Sequence, residues 1–164
     1  MYKVAISIGS NLERTKNIKK AVFNLEKVFG SLFCSPVYES DASGFLGPRF
    51  YNLVVVFETD MEVKAVHEQL RIIEISQGRT LKSNQVGSRT LDLDLLLYGD
   101  LVLYDIGLDV PRKEILDHSY ILKPLADILP NFCHPVTGER FLDSWMGYDL
   151  DQEPLICISE FKIP

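Results

Sequence analysis

Cysteine is scarce in this chain. Cys34, Cys133 and Cys157 are the three present in 164 residues. They are scattered, and their spacing fits neither a disulfide framework nor a zinc site, which needs ligands grouped a few residues apart. Reduced thiols in a cytoplasmic protein are expected. Long hydrophobic runs are missing as well: none approaches the ~18 residues of a membrane span, and the apolar start from Met1 to Gly9 is too short for a signal peptide and reads as a first strand. Positive charge is in deficit, with 17 Lys and Arg against 23 Asp and Glu and a net charge of −6. That excludes general binding to nucleic acid or to an anionic membrane surface, but not a local basic pocket for a small anion. Neither Gly-x-x-x-x-Gly-Lys-Ser/Thr nor Gly-x-Gly-x-x-Gly occurs, which removes the P-loop and the dinucleotide fingerprint. No Ser/His/Asp or Cys/His nucleophile set is legible, and the adjacent Cys133 and His134 lack the partners a metal site requires.

Against these absences stands Arg89-Thr90-Leu91-Asp92-Leu93-Asp94-Leu95-Leu96-Leu97-Tyr98. Alternation along a strand puts Asp92 and Asp94 on one face and Leu91, Leu93 and Leu95 on the other. Two neighbouring carboxylates repel, and burying either one unpaired is costly. A hard divalent cation such as Mg²⁺ relieves both problems, because it takes oxygen ligands from one or two carboxylates and completes its shell with substrate phosphates. Arg79, Lys82 and Arg89 gather on or beside the loop before the strand, with Arg71 and Glu74 on the helix feeding it. A positive cluster beside a metal site, in an acidic chain, points to a polyphosphate ligand.

Hydrophobic content of 46% and charged content of 24% suit one globular domain spanning 1–164. Lys3 to Ile8 reads as a strand ending in a Gly9-Ser10-Asn11 turn, where backbone amides could meet an anion although an ordinary tight turn accounts for the triplet as well. Ile18, Ala21, Val22, Leu25, Val28 and Phe29 follow a helical period that Gly30 stops. Leu32 to Tyr38 reads as an edge or bulged strand because of Pro36, and Tyr51 to Glu58 as a buried strand. Thr59-Asp60-Met61-Glu62 reads as a capping box for a helix bearing Val63, Val66, Leu70 and Ile73. His67, on that helix, is expected at the surface. Residues 77–89 form a long polar loop, and the Asp-bearing strand follows. A third helix is expected around Glu114 to Ile121, a turn at Val136 to Glu139 in a small hairpin, and a last strand from Leu155 to Ser159. The order β-α-β-β-α-β predicts an α+β fold with a ferredoxin-like core, an antiparallel-containing sheet flanked by helices, and C-terminal additions.

At these residues the chain resembles the 6-hydroxymethyl-7,8-dihydropterin pyrophosphokinases of folate biosynthesis. The likeness runs from Ile8-Gly9-Ser10-Asn11-Leu12 through Tyr51-Asn52-Leu53, Gln77-Gly78-Arg79 and the signature Gly87 to Leu96, then Val110-Pro111 and Leu122 to Ile128. It implies transfer of pyrophosphate from ATP to the hydroxymethyl group of a reduced pterin, with release of AMP. It implies two Mg²⁺ held by Asp92 and Asp94, catalytic Arg79 and Arg89 acting on the phosphates, and ATP contacts from Glu74, Arg79, Lys82, Arg89, Leu95, Arg112 and His118. Ser40, Leu46, Phe50, Asn52 and Tyr120 match pterin-contacting positions; for Tyr51 plain core packing is preferred. ATP and the pterin are the implied partners of a cytoplasmic monomer.

Several positions depart from the family pattern. Leu81 and Gln85 replace basic loop residues, Arg112 stands where His is usual, His118 where Arg is usual, and Tyr120 where Phe is usual. The loop departures leave open a catalytically weakened relative that binds pterin or nucleotide without turnover. A second alternative is another two-metal nucleotide enzyme on a similar sheet, such as a cyclase or a polymerase palm, but those spread their acids over separate strands.

Overall fold

The computed structural model describes residues 1–42, 47–78 and 91–163. Leu46, Leu81, Lys82, Gln85 and the arginines Arg79 and Arg89 lie outside the described residues. The elements run β1 (Tyr2–Ser10), α1 (Arg14–Phe29), β2 (Phe33–Cys34), β3 (Tyr38–Ser40), β4 (Phe50–Thr59), α2 (Val63–Ser76), β5 (Asp92–Tyr98), β6 (Leu103–Asp105), β7 (Leu108–Val110), α3 (Ser119–Ile128), α4 (Phe141–Met146) and β8 (Leu155–Cys157). The main sheet has the order β5-β1-β4-β3-β8, with β2 also on β4, and every pairing in it is antiparallel. This is the expected ferredoxin-like βαββαβ arrangement.

Both faces of the sheet are covered, which explains the apolar runs in its central strands. Ile6, Ile8, Leu53, Val55, Phe57, Leu91, Leu93 and Leu95 pack with Ile18, Ala21, Leu25, Val66, Leu70 and Ile73 of α1 and α2. Ala5, Val54, Val56, Leu96 and Leu97 pack on the other face with Ile121, Leu122 and Leu125 of α3 and Phe141 of α4. The C-terminal additions therefore supply the second layer. Leu95 pairs with Ile6 and Leu97 with Ala5, so Leu96 is an extra residue in β5. This bulge explains why Leu96 and Leu97 face the same core, and it sits next to the aspartates, where bulges often re-aim a strand.

Several boundaries differ from the sequence expectation. Gly9 and Ser10 continue β1, because both pair with β4, and they do not form a turn. Pro36 splits its segment into β2 and β3. Thr59 ends β4 and does not cap α2; its hydroxyl accepts from Met61 N–H, and Glu62 occupies the cap position without a side-chain bond. The third helix starts at Ser119, after a 3₁₀ turn at Lys113–Leu116. The expected hairpin around Gly138 is reduced to one bridge, Cys133 to Arg140. His134 turns inward, and its Nδ1 accepts from Val136 and Thr137 N–H, a structural role.

Gly30 stops α1 as expected. Its φ is 83° and its ψ is −149°, a region that L side chains avoid, and a Cβ there would touch nothing within 4 Å. The penalty for a side chain is therefore conformational alone. Gly30→Ala is expected to cost about 1–2 kcal/mol and to lower the melting temperature by roughly 3–6 °C in calorimetry.

Candidate active site

β5 is the edge strand of the sheet, and its aspartates stand near its N-terminal end. Asp92 is the direct cross-strand partner of Gly9, Gly9 of Asn52, and Asn52 of Tyr38. Opposed residues share a face, so Asp92, Asn52 and Tyr38 all point toward the α3 side. Strands lie ~4.8 Å apart, which puts the backbones of Asp92 and Asn52 roughly 10 Å from each other. The residue between them has no side chain. A Cβ on Gly9 would lie 3.5 Å from Asn52 Oδ1 and 3.7 Å from the Phe50 ring. One sheet row thus sets a carboxylate and an amide on either side of an open strip of backbone.

The amide half is well tied. Asn52 is buried, and its Nδ2 donates to Ser40 Oγ at 2.8 Å and to the Tyr38 carbonyl at 3.3 Å. Ser40 and Phe50 are themselves cross-strand partners, so Ser40, Phe50 and Asn52 come together. Tyr51 points to the opposite face. Arg14 lies over its ring at 3.8 Å and Phe161 meets its edge, in keeping with a packing role.

The carboxylate half opens into a cleft of about 290 Å³ lined by His67, Leu70, Arg71, Glu74, Asp92, Leu93, Asp94, Gly107 and Arg112. Two groups blunt the outer edge of β5 that an edge strand leaves open. Glu74 Oε2 accepts from Leu93 N–H at 3.0 Å, and Arg112 N–H donates to the Leu96 carbonyl at 2.9 Å. Arg112 then reaches Asp94 at 3.4 Å and Glu114 at 3.3 Å. Burial and the neighbouring Asp92 charge push the Asp94 carboxyl up to about 7, against the pull of Arg112. Without a cation the pair therefore resists carrying two negative charges, because burial and mutual repulsion both disfavour the ionised form. Among the described residues no cluster of three or more His, Cys, Asp or Glu is placed to hold a metal. Two adjacent carboxylates suit a hard cation that takes its other ligands from water and substrate phosphate.

Two expectations are corrected here. Leu95 is 3% exposed in the core beneath α1 and α2, so its side chain does not face a nucleotide; any contact it makes there comes from its main chain. His67 is not a plain surface residue. It lines the cleft, and partial burial, Arg71 and Arg112 hold its pKa below the usual value. Its membership follows from helical spacing: His67, Leu70, Arg71 and Glu74 form one stripe of α2, legible once Glu74 is placed at the site. His118 is not among the described residues lining the cleft. It precedes α3, its Nδ1 lies 3.1 Å from Glu153 Oε2, and its ring stacks on Tyr120. Glu153 carries no sequence signal for this role, because its bonds to His118 and Ser119 span 35 and 34 residues.

Comparison with known proteins gives a consistent set of likenesses. The family model described as 7,8-dihydro-6-hydroxymethylpterin-pyrophosphokinase (HPPK) matches residues 5–130. The 2-amino-4-hydroxy-6-hydroxymethyldihydropteridine pyrophosphokinase of Pseudomonas aeruginosa is 35% identical over 139 residues, covering 82% of this chain and 85% of the relative. The enzyme of the same name from Aquifex aeolicus is 33% identical, covering 83% and 86%. The folic acid synthesis protein fol1 of Pneumocystis carinii is 38% identical over 82% of this chain, which spans only 18% of that protein. Among solved structures, an HPPK-DHPS in complex with substrates superposes with a TM-score of 0.74 at 14% identity, over 90% of this chain and 43% of its own. That likeness supports the fold.

Proposed function

The chain belongs to the 7,8-dihydro-6-hydroxymethylpterin-pyrophosphokinase family, and on that basis we propose that it transfers the pyrophosphoryl group of ATP to 6-hydroxymethyl-7,8-dihydropterin, releasing AMP, in folate biosynthesis. The observation that carries this reading is the row Asp92, Gly9, Asn52. It sets a phosphate-side carboxylate pair and a ring-side amide on one face with an open strip between them, as a reaction between a nucleotide and a flat heterocycle needs. The hydroxymethyl oxygen attacks the β-phosphorus, the bond between the α,β-bridging oxygen and that phosphorus breaks, AMP leaves with the bridging oxygen, and the hydroxymethyl proton is lost. Such a step asks the protein for positioning and charge neutralisation more than for covalent chemistry.

Asp92 and Asp94 would hold Mg²⁺, two ions in this proposal. Bound cation offsets the phosphate charge and makes the β-phosphorus a better electrophile. Arg112, which contacts Asp94 and lines the cleft with His67 and Arg71, would exchange that contact for a phosphate oxygen. Arg79 and Arg89 complete the phosphate contacts, with Lys82 beside them. Glu74 holds the edge of β5 and stands next to the nucleotide. Asn52 and Ser40 address the polar rim of the pterin, with Phe50, Tyr120 and Leu46 against its faces. His118, held by Glu153 and stacked on Tyr120, would contact the nucleotide in this proposal. The proposed protein is a cytoplasmic monomer acting on ATP and the dihydropterin; among the described residues no helix is long and apolar enough to cross a membrane.

The test is incubation with ATP, MgCl₂ and the hydroxymethyl dihydropterin while AMP is followed. AMP formed only when the pterin is present supports the proposal. Pyrophosphate released from ATP without pterin would point to a cyclase-like reaction, and tight pterin binding with no AMP to a relative that has lost turnover.

A further inference from the structure

Asn52 reads one end of the proposed pterin site, and its amide is oriented by β3. A carbonyl can only accept, so the bond to the Tyr38 carbonyl settles that Nδ2 faces β3. With Nδ2 committed to Tyr38 and Ser40, Oδ1 is turned toward Gly9. The site is thus offered one fixed acceptor, matched to a ring N–H or amino group. Both groups that fix it belong to a strand of three residues, a length with little pairing energy of its own.

The Tyr38 side chain anchors that strand to the layer above. It is 6% exposed, and its hydroxyl donates to Asp127 Oδ2 on α3. Lys123, one helical turn earlier, meets the other Asp127 oxygen at 2.7 Å and supplies the counter-charge. A phenol, a carboxylate and an ammonium group therefore link α3 to the backbone position whose carbonyl holds the Asn52 amide. None of these three groups is used in the proposed phosphoryl chemistry.

We propose that Tyr38 and Asp127 are positioning residues for the pterin: they hold β3 where its Tyr38 carbonyl and Ser40 hydroxyl keep Asn52 Oδ1 aimed at the ring. This rests on the proposed reaction and adds to it a determinant of pterin affinity that touches neither substrate. A packing role alone would affect stability or both substrates alike, whereas a role through Asn52 affects the pterin selectively.

Tyr38→Phe keeps the ring and removes only the hydroxyl. Its KM for the dihydropterin, and its Kd by ligand fluorescence, are expected to rise about fivefold to tenfold, with the ATP KM unchanged and kcat within about twofold. Asp127→Ala is expected to do the same. Asp127→Asn, which still accepts from the phenol, is expected to stay within about twofold of wild type. If Tyr38→Phe fails to fold, the Asp127→Ala and Asp127→Asn pair carries the comparison. Wild-type pterin affinity in Tyr38→Phe or Asp127→Ala overturns the inference, as does an equal rise for both substrates. Those results, in a background where the wild type turns over the pterin, leave the proposed reaction standing. A wild-type protein that forms no AMP with the pterin overturns the reaction itself, and the inference with it.

Discussion

Asp94→Asn is expected to lower pyrophosphoryl transfer by about 10³-fold or more while making the metal-free protein more stable. The activity loss follows from removing one of the two carboxylates proposed to hold the cation: no group of three or more acidic, histidine or cysteine ligands stands among the described residues. The gain in stability follows from the same carboxyl. Burial and Asp92 raise its pKa from the ordinary 3.8 to about 7, so the folded protein binds this proton more tightly than the unfolded chain does. Stability from this group is therefore greatest below the unfolded value and falls as pH rises from about 4 to about 7. Arg112 loses one of its two carboxylate partners in the variant and keeps Glu114, which brings the expected net gain to about 1–2 kcal/mol. Denaturant melts of wild type and variant in EDTA, at pH 5 and pH 8, check this: the difference should be small at pH 5 and larger at pH 8. Saturating Mg²⁺ with a non-hydrolysable ATP analogue should stabilise the wild type and leave the variant nearly unchanged.

The second large effect is expected at Asn52. Asn52→Ala removes the acceptor proposed to face the pterin and leaves the Tyr38 carbonyl and Ser40 hydroxyl without their donor. A site built to hydrogen-bond a polar rim discriminates strongly through such groups, so kcat/KM for the pterin should fall about 10²-fold to 10³-fold, mostly through KM, while the affinity for ATP stays within about twofold. Steady-state kinetics with each substrate varied separately would separate the two. A comparable loss toward ATP would mean that the amide supports the whole site and not the pterin half. The buried donor and acceptors also predict a stability cost of about 1–3 kcal/mol, which melts would report independently of kinetics.

These two residues also show how far the sequence can be read. The face of Asp92 and Asp94 follows from period-two alternation, because Leu91, Leu93 and Leu95 must reach a core. The sheet order follows from the β-α-β-β-α-β succession. The row that joins Asp92 to Asn52 through Gly9 does not follow, because register is fixed by partners more than 40 residues apart along the chain, which periodicity does not encode. The bulge at Leu96 is hidden for the same reason. Spacing puts Leu95 in the core, where it meets helices, and only the resemblance implies its nucleotide contact; for His67, spacing gives a face of the helix but not what lies across from it, which is the cleft beside β5. Thr59 has the local pattern of a helix cap, but pairing with Tyr2 claims it for β4. The Tyr38–Asp127 link and the Glu153–His118 pair are tertiary contacts without any local signature.

The most direct test of the proposed reaction follows both terminal phosphates of ATP. The protein is incubated with Mg²⁺, the dihydropterin and ATP labelled either at the β- or at the γ-phosphorus, and the products are separated. Pyrophosphoryl transfer predicts that both labels move into the pterin product in equal amounts and that the nucleotide left behind is unlabelled AMP. A γ-label that moves into the pterin while the β-label stays behind in ADP would contradict it, because the hydroxymethyl oxygen would then have attacked the γ-phosphorus.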